Sequence, residues 1–243
     1  MFSAVIEDTK SWKASIDAIA VLIDEGTLQL TKDGVKLRAM DPSQIAMVDF
    51  SMPKDSFEKY EIDKDISMGI DFAELNKITK RAKLEDKIEL SLDKRLNITF
   101  KGTTTRKFSV PIIESSSTPP KEPGIDFTAD LKVNANTFKE VLKDAELVSN
   151  HVSLGIDKSF GVRADGDTGS VNVEFGEDNI LNLDAKEKAK STFSLDYLKN
   201  MLSAADTGTV VELKMKTDTP LRLEYGIGDS RVVYYLAPRI ESR

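Results

Sequence analysis

Few residues in this 243-residue chain have the type and spacing that chemistry requires. Its one histidine, His151, is isolated, and such a residue usually serves the surface or the packing. The absence of cysteine excludes disulfides, thiolate zinc sites and a thiol nucleophile. Asp165-Gly-Asp167-Thr-Gly169 could hold a hard cation between two carboxylates, the donor set of a metal-dependent hydrolase or phosphoryl-transfer site. The stretch also lies between two strand-like runs, where Asp with Gly is turn chemistry, and the turn is preferred. Gly226-Ile-Gly228 begins a GxGxxG, but Arg231 stands at the third position and no helix follows, so a hairpin turn is expected there. No GxxxxGK[ST] phosphate loop is present. No catalytic residue, metal site or cofactor is therefore expected.

The composition is that of a soluble globular chain, with 40% hydrophobic and 31% charged residues. No run approaches the roughly 18 apolar residues of a membrane span. The opening MFSAVIEDTK lacks the basic start and apolar run of an export leader, so neither a membrane nor a leader is expected. A net charge of −7 argues, taken alone, against nucleic-acid binding.

The elements that would position any site occur twice. VKLRAMDPSQIAMVDF (35–50) matches FGVRADGDTGSVNVEF (160–175), with Arg38-Ala39 on Arg163-Ala164 and Asp49-Phe50 on Glu174-Phe175. IELSL (88–92) matches VELKM (211–215), and LNITF (96–100) matches LRLEY (221–225). Four matches in order, most at an offset of 125, point to duplication. Each half also carries two helical patterns. The first helix of each has an apolar stripe, Trp12, Ile16, Ile19, Ala20 and Ile23 in one half and Phe138, Val141, Leu142, Ala145 and Val148 in the other. The second helices span 71–83 and 194–206, with Asp71 and Ser194 as expected N-caps. Short alternating runs separated by turn residues surround them, so each half reads as an α+β unit, two helices on an antiparallel sheet. Between the halves, IESSSTPPKEPG (113–124) is expected to be an extended connector. The domains are thus expected at 1–112 and 125–243.

Across the four helical windows the chain has nine basic and eight acidic residues, against 25 and 33 elsewhere. The helices are therefore the least acidic part of the chain, and Lys77, Lys80, Arg81 and Lys83 form a short basic ridge where phosphates could approach at least cost.

The order of these motifs resembles the proliferating-cell-nuclear-antigen type of DNA sliding clamp over essentially the whole chain. LRAMDPSQIAMVDF, with the pattern LxxMDxSxxxxV (37–48), and the terminal YYLAPRIE (234–241) carry the resemblance, which is closer to archaeal than to animal forms. It implies a trimeric ring around duplex DNA, lined by helices and walled by sheets, without enzymatic activity. Such a ring would be opened and placed by a clamp loader and would tether DNA polymerase, flap endonuclease and DNA ligase through short peptide motifs. It would work on the nucleoid in an archaeal cytoplasm, or in the nucleus of a eukaryote. By position, Lys13, Lys77, Lys80, Lys143 and Lys199 would face DNA, with Lys10, Arg81, Lys83 and Lys139 as neighbours. Ala14 and Ala20 stand where animal clamps have further lysines, so the first helix should attract DNA less. The peptide pocket would comprise Met40, Gln44, Ile45, Met47, Pro220, Tyr235, Ala237 and Pro238, with Ile125 and Phe127 near the end of the connector. Gln44 replaces an animal histidine. Ring closure would pair 104–112 with 169–176 of a neighbour, setting Arg106, Lys107 and Phe108 against Val171, Val173 and Phe175, with Glu174 or Glu177 answering the bases. Two further readings stay open: a metal-dependent enzyme using Asp165 and Asp167, and a clamp relative that restrains replication.

Overall fold

The same order of elements is traversed twice in the computed structural model, which describes residues 1–114, 118–167 and 169–239. Three connector serines (115–117), Thr168 of the Asp-Gly turn, and the closing Ile240 and Glu241 lie outside the described residues. The first pass runs β1 (Phe2–Ile6), α1 (Thr9–Ala20), β2 (Glu25–Thr31), β3 (Gly34–Met40), β4 (Ala46–Pro53), β5 (Lys59–Ile62), β6 (Ile66–Asp71), α2 (Phe72–Thr79), β7 (Lys87–Leu92), β8 (Arg95–Lys101) and β9 (Thr105–Pro111). The second runs β10 (Ala129–Asn134), α3 (Ala135–Glu146), β11 (His151–Ile156), β12 (Phe160–Gly166), β13 (Gly169–Glu174), β14 (Ile180–Ala185), β15 (Ala189–Ser194), α4 (Leu195–Leu202), β16 (Val210–Met215), β17 (Leu221–Ile227) and β18 (Ser230–Leu236). The duplication read from four matching strings thus extends to every helix and strand.

Two compact units result, Met1–Lys121 with Gly226–Val232 and Glu122–Tyr225 with Val233–Arg243. In the first, one sheet has the order β5-β1-β7-β8-β9 and a second run has β4-β3-β2-β6. In the second, the matching orders are β14-β10-β16-β17-β18 and β13-β12-β11-β15. Alternation decides which face each strand buries. Phe2, Ala4 and Ile6 of β1 point inward with Leu96, Ile98 and Phe100 of β8, and Leu131, Leu213 and Leu223 stack across the second unit.

The helices cover these inward faces. In α1 the buried stripe is Trp12, Ile16, Ala18 and Ile19, with Ala18 taking the place expected of Ala20. In α3 it is Phe138, Val141, Leu142 and Ala145. The Asp71 carboxylate caps α2 by accepting from the Glu74 amide at 2.8 Å, as expected. Ser194 sits at the N-cap of α4 but makes no capping bond with its side chain. Both second helices are shorter than their sequence patterns. After Thr79 the Arg81 and Ala82 amides donate to Ile78 and Thr79, a tighter turn that ends the helix and leaves Arg81 and Lys83 beyond it.

One detail of the repeat needs correction. Arg38 faces Asp49 across β3–β4, but Arg163 faces Asn172 across β12–β13. The structural counterpart of Asp49 is therefore Asn172 and not Glu174. Four residues lie between the bonded Asp41 and Ala46 of the first hairpin and two between the paired Gly166 and Gly169 of the second, which shifts the register by two.

The connector leaves β9 by crossing β6. The Ile113 amide donates to the Gly69 carbonyl at 3.1 Å, and a Cβ on Gly69 would lie 2.3 Å from the Ile113 carbonyl oxygen. Glycine is required by that approach of two backbones. Gly69→Ala is expected to lower stability by about 1–3 kcal/mol and to hasten cleavage within the connector by a broad-specificity protease. Parent-like cleavage and unfolding curves would show that the crossing tolerates a side chain.

Candidate nucleic-acid interface and binding surfaces

Most of the residues expected to meet DNA lie at or just beyond helix ends. Lys77 in the last turn of α2, Lys80 at its C-cap, Lys143 near the end of α3 and Lys199 in α4 sit where the carbonyl dipoles favour cations. Each also has a carboxylate within reach: Lys77 with Glu74 at 3.4 Å, Lys80 with Asp17 at 3.2 Å, Lys143 with Glu140 at 2.7 Å and Lys199 with Glu146 at 2.5 Å. Lys83 lies 3.9 Å from Glu85. Lys10 and the Arg81 side chain are exposed.

Lys13 and Lys139 bond backbone carbonyls instead of carboxylates. The Lys13 ammonium donates to the carbonyl of Ala82 at 2.7 Å and to that of Lys80 at 3.3 Å. Lys139 donates to the carbonyl of Ala205 at 2.5 Å. Counted from the helix caps, the two lysines are equivalent, as are the two alanines. Each unit therefore ties its first helix to the turn that ends its second with one lysine, and burial lowers the pKa of Lys139. Their partners are more than 60 residues away, so these bonds leave no local signal in the sequence.

The loop from Met40 to Met47 is built on Asp41. This buried carboxylate accepts from the amides of Ser43 at 3.1 Å, Ile45 at 2.7 Å and Ala46 at 2.7 Å. Gln44 sits in the left-handed region, at φ 57°, which turns the chain outward. The side chains of Met40 and Ile45 are 37% and 41% exposed, large for apolar groups, whereas Met47 is 2% exposed and belongs to the core. In the second unit, Ala237 and Pro238 are half-buried, as are Pro220, Ile125 and Phe127. Arg239 fixes the segment after them. Its amide donates to the Thr192 carbonyl at 2.7 Å, and its guanidinium lies 3.0 Å from His151 Nδ1. Burial and the Arg239 charge lower the His151 pKa. The Tyr235 hydroxyl donates to Glu122 Oε1 at 2.6 Å, and burial with that bond pushes its pKa up to about 12.

Strands β9 and β13 end their sheets. Side chains along β9 alternate, so Arg106 and Phe108 share one face and Lys107 takes the other. Arg106 is occupied within its own unit: its guanidinium pairs with buried Asp86, donates to the Arg81 carbonyl at 2.8 Å and lies 5.3 Å from the centre of the Phe100 ring. Phe175 is also committed, packing on Phe160 with ring centres 4.7 Å apart. Val171 and Val173 are half-buried, and Glu174 accepts from the Ser159 hydroxyl at 2.6 Å.

Asp165 and Gly166 end β12, Asp167 lies in a turn, and Gly169 opens β13. Arg163 grips Asp165 with two bonds, at 2.8 and 3.0 Å, and holds its pKa below the usual carboxylate range. Among the described residues, no group of three or more histidine, aspartate and glutamate side chains could hold a metal ion.

Lys13→Met and Lys139→Met should each lower unfolding stability by about 1 kcal/mol, since a carbonyl loses its donor. Urea titrations followed by circular dichroism, and by Trp12 fluorescence for the first unit, would measure this. Unchanged midpoints would return these lysines to the solvent-facing set.

The two units match two family models in chain order: the N-terminal domain of proliferating cell nuclear antigen over residues 1–111, and its C-terminal domain over 121–240. A protein of Methanococcus maripaludis described as a DNA polymerase sliding clamp is 37% identical over 252 residues, covering all of both chains. The structure of PCNA from Thermococcus kodakaraensis superposes with a TM-score of 0.94 at 26% identity, over 98% of this chain and 100% of that one. A structure of A. fulgidus PCNA bound to the C-terminal region of FEN-1 superposes with a TM-score of 0.92 at 32% identity, over 100% of both. Matched in both halves and over its full length, the chain belongs to the proliferating cell nuclear antigen family.

Proposed function

We propose that three copies of this chain close into a ring around duplex DNA and act as a DNA polymerase sliding clamp, a tether and not an enzyme. The observation that carries this reading is the full-length match to both clamp domains in order, on a chain whose helices are its least acidic part. The clamp would act on chromosomal DNA in the cytoplasm. Lys10, Lys77, Lys80, Arg81, Lys83, Lys143 and Lys199 would meet phosphates without regard to sequence. Lys13 and Lys139 would contribute mainly by holding the helix pairs. Encirclement makes strong contacts unnecessary, which reconciles an acidic chain with a DNA partner.

Ring closure would pair β9 with β13 of the next copy, hiding two strand edges that otherwise invite aggregation. Polymerase, clamp loader, flap endonuclease and ligase would dock through short peptides with apolar anchors. By the family likeness, Met40, Gln44, Ile45, Pro220, Tyr235, Ala237 and Pro238 are the residues that would receive them. The exposure of Met40 and Ile45 on a loop braced by Asp41 supports this assignment. Met47 would act from beneath, as packing.

Light scattering should give a mass near three times 26.9 kDa; a monomer at every concentration, with or without DNA, would overturn the homotrimer. Ile45→Ala combined with Pro238→Ala should weaken binding of a FEN-1 C-terminal peptide by about tenfold or more while leaving that mass unchanged. Unaltered affinity would move the docking site elsewhere. Met47→Ala is the poorer probe, because a buried methionine costs about 2–5 kcal/mol to truncate.

A further inference from the structure

Four of the seven cations assigned to DNA face a carboxylate carried by a helix of their own unit, and this matching is made twice in different ways. In the first unit Lys77 pairs with Glu74 inside α2, and Lys80 reaches from the end of α2 to Asp17 of α1. In the second, Lys143 pairs with Glu140 inside α3, and Lys199 reaches from α4 to Glu146 of α3. Each unit therefore has one pair within a helix and one between its helices. Counted from the helix caps, Asp17 corresponds to Lys143, Glu146 to Ala20, and Lys199 to Asn76, which itself donates to Asp17 at 3.1 Å. The residues have drifted apart since duplication, yet the compensation is present in both units.

Stability does not account for the pattern, because every one of these side chains keeps at least 34% of its surface in water and such pairs contribute little to folding. Their effect falls on a third charge that approaches. A free lysine meeting a phosphate releases the counter-ions condensed on DNA, and that release drives binding. A lysine that already faces a carboxylate must exchange one anion for another, and the carboxylate stays nearby to repel the phosphate.

We propose that Asp17, Glu74, Glu140 and Glu146 are built-in counter-ions that weaken each lysine–phosphate contact and thereby set how freely the protein slides. This rests on the helix ends being the DNA side. The carboxylates compete with the passing backbone, so no register of the DNA becomes a trap, while encirclement prevents escape.

Three variants of the full chain test it, by anisotropy with a labelled duplex across a salt series and by diffusion of labelled protein on stretched DNA. The first is Asp17→Asn, Glu74→Gln, Glu140→Gln and Glu146→Gln together. It should bind about tenfold tighter, show a salt slope steeper by about 0.9 for each further phosphate neutralised, and diffuse several-fold more slowly. The second, Glu61→Gln, Asp63→Asn, Asp157→Asn and Asp184→Asn, makes the same change in net charge on residues carried by no helix, and should resemble the parent. The third, Lys77→Gln with Lys80→Gln, should lose affinity. Equal tightening in the first two would overturn the proposal in favour of overall charge. A parent-like first variant beside a weakened third would also overturn it and leave the DNA face standing. A parent-like third variant would remove the DNA face, and the proposal with it.

Discussion

The structure depends on one packing constraint, met once in each unit: two short helices must bury their apolar stripes on a sheet and against each other. Neither α2 nor α4, at eight residues, is long enough to persist alone in water. Leu75 and Phe72 in one unit, and Leu195, Leu198, Met201 and Leu202 in the other, are fully buried or nearly so and supply the burial that holds them. The lysine bonds from Lys13 and Lys139 close the open end of each pair, where carbonyls would otherwise face water or nothing. With the helices fixed, their outer ends become a rigid platform for whichever polar residues stand there.

That platform is nearly neutral, and the physics of a tether explains why this is useful. A protein that holds DNA by affinity alone needs many uncompensated cations, and it then stops wherever it binds. One that is threaded on DNA can do with little attraction. On the ring reading, the cations at the helix ends would be enough to avoid repelling either strand, and the carboxylates they pair with would keep the contacts shallow.

Much of this was legible in the sequence because duplication and alternation are one-dimensional signals. The repeated strings gave the α+β units, and the spacing of Trp12, Ile16 and Ile19 gave α1 its buried face. Helix ends were less legible, because the turns after Thr79 and Leu202 keep helix-like residues while tightening the backbone. The register of β12–β13 was hidden by a loop two residues shorter than its counterpart. Long side chains were least legible of all. Lys13, Lys139 and Arg106 look like free cations in a string of letters, and each turns out to bond groups far along the chain. Met40 and Met47 have the same chemistry and stand opposite each other across β3–β4, yet one is exposed and the other buried, a difference that strand alternation does not encode.

The commitment of Arg106 and Phe175 bears on what the edge strands can offer a neighbour. Asp86 is 2% exposed, so removing its guanidinium partner would strand a buried carboxylate. Arg106 therefore cannot leave Asp86 to seek an acid on another subunit without a large penalty. Phe175, wedged against Phe160 and Phe138, is similarly unavailable. What remains at the edge of β9 is its unpaired backbone, with the exposed Lys107 and Ser109 on the face opposite Arg106. On the ring reading, backbone pairing then supplies the register, and these exposed side chains modulate its strength. A contact of that kind has modest affinity, which suits a ring that must open to admit DNA and close again around it.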